Sequence, residues 1–144
     1  MNISSAEFKH NGIIPPRFTC QGEDVNPPLA VDGVPAEAKS LVLVVDDPDA
    51  PAGVWDHWIV FNIDPKLTEI AVDSVPGTLG QNSFGRRDWG GPCPPSGAHR
   101  YFFKLYALDT RLPLVPGASK EEVEEAMAGH IIDKAEIVGL YKKF

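Results

Sequence analysis

Three short stretches hold most of the side chains able to do acid–base or ligand chemistry. The first, Asp46-Asp47-Pro48-Asp49-Ala50-Pro51, puts three carboxylates within four positions. Carboxylates that close repel one another unless something positive faces them, and two prolines stop the backbone from swinging them apart. The same residues can instead cap local amides, as Asp does in Asx turns. The second stretch is Trp55-Asp56-His57-Trp58, a histidine between large aromatics. An apolar setting there disfavours the imidazolium unless an acid stands near, and a packed structural histidine is the plain alternative. The third stretch runs from Gly90-Gly91-Pro92-Cys93-Pro94-Pro95 into His99-Arg100-Tyr101. Within a strand, His99 and Tyr101 share one face and can line one cavity, while Arg100 takes the other face and pairs with an acid.

Sharper motifs fail on detail. Gly80 to Arg87 is glycine-rich, but Gly85 is followed by Arg86 and Arg87, so the Lys-Ser/Thr pair of a phosphate loop is missing. Ser96 lies near His99 but in the context Pro95-Ser96-Gly97, without the G-x-S-x-G elbow that presents a nucleophile. Asp47, His57 and His99 lack the short spacings that preorganise metal ligands, so neither a metal nor a cofactor is expected. The enzymatic alternative is a small hydrolase or lyase using His57 and His99 as acid and base. With no nucleophile placed, the expectation is a protein that binds and does not turn over.

These stretches need a scaffold, and the chain supplies one dominated by strands. Ser40–Val45 is a β-branched run closed by Asp46, Asp47 and Pro48, and reads as a buried strand. His57–Ile63 is apolar on both faces and should lie centrally in a sheet. Tyr101–Leu108 and Ala135–Tyr141 follow as strands. Gly77–Gly97 is rich in Gly and Pro and has no periodicity, and loops of that length tend to be functional. The one convincing helix follows Gly117: Ser119 and Glu122 form a capping box, and Val123, Ala126, Met127 and Ile131 make an apolar stripe. Glu121, Glu124 and Glu125 form its wet face.

Residues 1–144 are read as a single domain. The 13 Gly and 14 Pro speak for turns and short elements, not a helical bundle. A net charge of −7 excludes the phosphate-neutralising surface that nonspecific nucleic-acid binding requires. The first 18 residues hold no apolar core of a signal peptide, and the longest aliphatic run, Leu41–Val45, cannot span a bilayer. The expectation is a cytoplasmic protein without membrane insertion, with Cys20 and Cys93 as buried, reduced thiols.

The motifs Pro15-Pro16-Arg17-Phe18-Thr19-Cys20, Asp47-Pro48-Asp49-Ala50-Pro51, Trp55 with His57, Gly91-Pro92-Cys93-Pro94-Pro95 and Gly97-Ala98-His99-Arg100-Tyr101 resemble, in order, those of the phosphatidylethanolamine-binding protein family. The nearest likeness is to its bacterial and archaeal Raf-kinase-inhibitor-like branch. The resemblance covers nearly the whole chain. It implies a mainly β fold with a large central antiparallel sheet, a smaller second sheet and one or two peripheral helices. It also implies a pocket for small anions and phospholipid headgroups, built from Asp47, Pro51, Trp55, His57, Gly91, Pro92, His99 and Tyr101. Arg100 is implied to be structural, pairing with Asp49 in the interior behind the pocket, and Ala50-Pro51 to be a cis peptide. A protein partner, a kinase or protease, is implied as a second layer, and a homodimer is compatible with the reading. The chain departs from many relatives at Asp56 and Trp89, expected at the pocket rim, and lacks the C-terminal extension of eukaryotic members. A small anion is therefore expected in preference to a lipid with its tails.

Overall fold

The computed structural model describes all residues, Met1–Phe144. Its strands are β1 (Asn2–Ser4), β2 (Gly12–Ile13), β3 (Leu29–Asp32), β4 (Ser40–Asp47), β5 (Trp55–Ile63), β6 (Glu69–Ile70), β7 (Thr78–Leu79), β8 (His99–Leu108) and β9 (Ile131–Tyr141). A 3-10 turn spans Pro16–Phe18, and one helix, α1, spans Lys120–Met127. The large sheet has the order β2-β9-β8-β4-β5-β7 and is antiparallel except where β2 meets β9; the small sheet has the order β1-β3-β6. The fold is thus mainly β, as expected. No helix is long and apolar enough to cross a membrane.

The β-branched run of β4 is buried along its whole length because both faces of the large sheet are covered there. One face, through Leu41, Leu43, Val45, Trp58, Val60 and Phe103, packs on Leu29, Val31 and Ile70 of the small sheet. The other, through Val42, Val44, Ile59 and Phe61, meets Val123 and Met127 of α1. β5, expected in the centre, lies one place from the edge with only the two-residue β7 beyond it. The two covering layers, not its position in the order, make both its faces apolar.

The capping box forms: Ser119 Oγ accepts from the Glu122 amide, and the Ser119 amide donates to Glu122 Oε1. The helix stops at Met127, because Gly129 takes a positive φ of 81° and turns the chain into β9. Ile131 therefore leaves the predicted helical stripe and stands exposed at the start of a longer strand.

Candidate functional site

β4 ends in Asp47, β8 begins with His99, and the two strands are hydrogen-bonded antiparallel neighbours, so their polar ends open at one end of the sheet. His99 Nδ1 donates to Asp47 Oδ2 at 2.6 Å. The other oxygen, Asp47 Oδ1, accepts the Asp49 amide at 2.7 Å. Both side chains are buried. The carboxylate is thereby held from two sides, the ring is oriented, and Nε2 of His99 is the nitrogen left for a ligand.

A bulge re-aims His57. Where β4 steps from Val45 to Asp46, β5 steps from Trp58 to Asp56, so His57 is the extra residue. Strict alternation from Ile59 and Phe61 would turn His57 toward the helix. The bulge turns it to the same side as Tyr101, whose ring meets it edge-on at 5.2 Å. His57 Nδ1 donates to the Gly90 carbonyl at 2.5 Å, which again leaves Nε2 free. Burial pushes the His57 imidazolium below the ordinary histidine range, against the Gly90 hydrogen bond and the nearby Asp47 charge, which act upward. Burial also raises the Tyr101 phenol well above its usual value, so Tyr101 is a neutral O–H donor.

These groups line a cavity of about 220 Å³ together with Ala50, Pro51, Trp55, Phe84, Cys93, Pro94 and Pro95. Of the residues singled out in the sequence, the structure brings Asp47, Pro51, Trp55, His57, His99 and Tyr101 to this space. Gly91 and Pro92 are not in its wall. Gly91 lies against the Phe18–Asp24 segment, donating its amide to Asp24 Oδ1 at 2.8 Å, and a Cβ there would stand 2.2 Å from that oxygen. Pro92 accepts the Cys20 amide at 3.1 Å. Both residues anchor the loop from behind.

Four further expectations are corrected. Arg100 does pair with Asp49, through Nε and Nη2 at 3.0 and 2.8 Å, but at the surface: its side chain is 53% exposed. That guanidinium holds the Asp49 carboxyl down at about 2. The chain has no cis peptide, so Ala50-Pro51 is trans. Asp56 turns away from the cavity toward Lys120 (3.1 Å), and Trp89 is buried between Trp58 and Phe103, with its Nε1 donating to Phe18 O; neither is at the rim. Cys20 and Cys93 are joined in a disulfide, and both residues are exposed. The fold brings together two segments that stand 73 positions apart in the sequence, a pairing that no local spacing marks.

Phe84 was not foreseen. It meets Trp55 and His57 edge-on at 5.5 and 5.4 Å, and Gly90, where a Cβ would stand 2.3 Å from its ring, makes room for it. The buried Asn82 holds this part of the loop: its Oδ1 accepts the amides of Phe84 and Arg86, and its Nδ2 donates to Asp88 O. The only cue in the sequence was the length of the aperiodic segment.

Residues 4–142 match the sequence profile of the phosphatidylethanolamine-binding proteins. The chain belongs to the phosphatidylethanolamine-binding protein family. Among relatives, a UPF0098 protein of Methanothermobacter thermautotrophicus is 54% identical, covering 99% of both chains, and one of Chlamydia trachomatis is 44% identical over the same share. Among solved structures, a phosphatidylethanolamine-binding protein homologue of Chlamydia trachomatis superposes with a TM-score of 0.97 at 43% identity, covering 99% of this chain and 97% of that one. Escherichia coli YbcL, described as a member of the mammalian family, gives 0.91 at 32% identity, covering 99% and 98%. In this member of the phosphatidylethanolamine-binding protein family, the cavity therefore sits on a scaffold shared across bacteria and archaea.

Proposed function

We propose that this chain is a noncatalytic binding protein whose cavity takes a small anion: a phosphate, a carboxylate or a phospholipid headgroup. One observation carries the reading. Both histidines have Nδ1 committed, His57 to Gly90 and His99 to Asp47, so both Nε2 atoms are the donors available when the rings are protonated. The Tyr101 hydroxyl adds a neutral donor, and Asp47 offsets positive charge on His99 or meets a ligand ammonium. A volume of about 220 Å³ is small beside the roughly 300–1,000 Å³ of ordinary small-molecule sites, and suits a headgroup-sized anion without acyl chains. An acidic or phosphorylated side chain of a protein partner, such as a kinase or protease, offers the same chemistry.

The Asp47–His99 pair is also the oriented base of a hydrolase, which keeps the acid–base alternative in view. Its weakness is the missing nucleophile: no Ser or Thr lines the cavity, the phenol resists ionisation, and Cys93 is bonded to Cys20. Titration calorimetry with sulfate, phosphate and phosphoethanolamine near pH 6 tests the binding reading. Heats that saturate, and that are lost in His99→Ala, are expected. A folded protein that binds none of the three refutes it, and turnover of generic ester, phosphate or peptide substrates that disappears in His99→Ala establishes the enzyme instead.

A further inference from the structure

The disulfide stands at the mouth of the proposed anion cavity. Cys93 is part of the cavity wall, both cysteines are exposed, and exposed disulfides are the ones small thiols reach. The bridge is also not alone in tying the loop to the Pro16–Asp24 segment. Cys20 N–H donates to Pro92 O (3.1 Å), Gly91 N–H to Asp24 Oδ1 (2.8 Å) and Trp89 Nε1 to Phe18 O (3.2 Å), none of them through sulfur. Opening the bridge therefore leaves its two flanks in register, so the reaction is compatible with a folded protein and reversible within it.

We propose that Cys20–Cys93 is a thiol–disulfide exchange site selective for low-molecular-weight thiols that carry a carboxylate or phosphate group. The anion seats against His57 and His99, and the attached thiolate attacks Cys93 Sγ. A sulfur–sulfur bond forms between the small thiol and Cys93, the Cys20–Cys93 bond breaks, and its electron pair leaves on Cys20 as thiolate, which takes a proton from water. Return attack by Cys20 expels the small thiol and restores the bridge. A second thiol attacking the mixed disulfide instead releases the oxidised small-molecule disulfide and leaves both cysteines reduced. Selectivity for an anionic thiol runs against the chain's overall charge of −7, so its source has to be local to the cavity. This proposal rests on the anion-binding reading above.

The test compares mercaptopropionate, mercaptoethanol and cysteamine near pH 6 on the native protein. Bridge opening is followed by alkylation and mass spectrometry, and each rate is divided by that thiol's rate on hydroxyethyl disulfide. The normalised rate for mercaptopropionate should exceed that for mercaptoethanol by roughly threefold or more, the size of a partly solvated charge contact. Added sulfate should slow mercaptopropionate and leave mercaptoethanol unchanged. The trapped adduct should map to Cys93, and Cys20→Ser protein should form the same adduct with oxidised mercaptopropionate. Equal normalised rates, an adduct on Cys20, or a bridge that opens only on unfolding overturns the proposal. Sulfate calorimetry on the same sample separates the two failures. If sulfate binds while the thiols show no charge preference, the exchange proposal falls and the anion reading stands; if sulfate does not bind, the anion reading itself falls.

Discussion

Binding of sulfate should be coupled to uptake of a proton by His57, and the structure sets the sign and size of the coupling. With Nδ1–H committed to Gly90 O, a neutral His57 presents a bare Nε2 lone pair to the cavity, which repels an oxyanion. Only the imidazolium offers Nε2–H. In the free protein burial holds the imidazolium below the ordinary histidine value of 6.5. A bound anion stabilises the charged ring by about 1.5–3 kcal/mol, the worth of a hydrogen bond to a charged group, or roughly one to two pH units. Affinity for sulfate should therefore rise as pH falls from 8 toward 5, by at most about 10- to 100-fold, with uptake of less than one whole proton at the steepest point. Calorimetry in two buffers of different ionisation enthalpy counts the protons directly. The stability of the free protein follows the opposite course. Because the folded value is depressed, the unfolded chain binds the extra proton, so the His57 contribution to stability is present above about 6.5 and declines as pH falls toward the folded value. Saturating sulfate should remove that decline. Sulfate affinity that is flat from pH 8 to 5 in a folded protein, or a binding event that releases protons, would refute the coupling.

Arg100→Ala breaks an exposed, two-point contact to Asp49 and should lower the melting temperature by no more than about a few degrees, with sulfate affinity little changed. Lys120→Met removes the ammonium shared by Asp46 and Asp56 at 3.0 and 3.1 Å; Asp46 is buried and keeps only Lys104, so a loss of about 2–4 kcal/mol is expected in urea unfolding. Gly91→Ala drives a Cβ into Asp24 Oδ1 and Phe18 O, and should destabilise by about 1–3 kcal/mol while lowering sulfate affinity through displacement of the loop.

Much of the site was legible because its chemistry is local in sequence. Asp47 at the end of a β-branched run, and His99 with Tyr101 at alternate positions of a later long strand, need only the period of a strand to be placed on one face. The capping box gave the start of α1 on the same ground. What escaped depends on contacts between distant segments. Nothing in Trp55–Ile63 marks His57 as the bulged residue, since a bulge is defined by the partner strand. The pairing of Cys20 with Cys93, the burial of Trp89, and the seat of Phe84 over His57 all follow from how one aperiodic loop lies against the Pro16–Asp24 turn and β5. Arg100 was given its right partner and the wrong depth, because alternation tells which face a side chain takes and not how much protein covers that face.

The loop that carries Phe84 and Gly90 also finishes the sheet. Along the outer side of β5, Gly80 N–H donates to Ile59 O, Ser83 N–H to Asp56 O and Gly90 N–H to His57 O, at 2.8, 2.8 and 3.0 Å. An uncovered β5 would be a template for strand addition by another chain. At the far side, β9 is capped by β2 at Gly139 and Leu140, and its open beginning carries Asp133, Lys134 and Glu136. Displacing the loop to admit a bulkier ligand would thus uncover carbonyls competent for aggregation. Ligand size is limited here by the need to keep an edge closed.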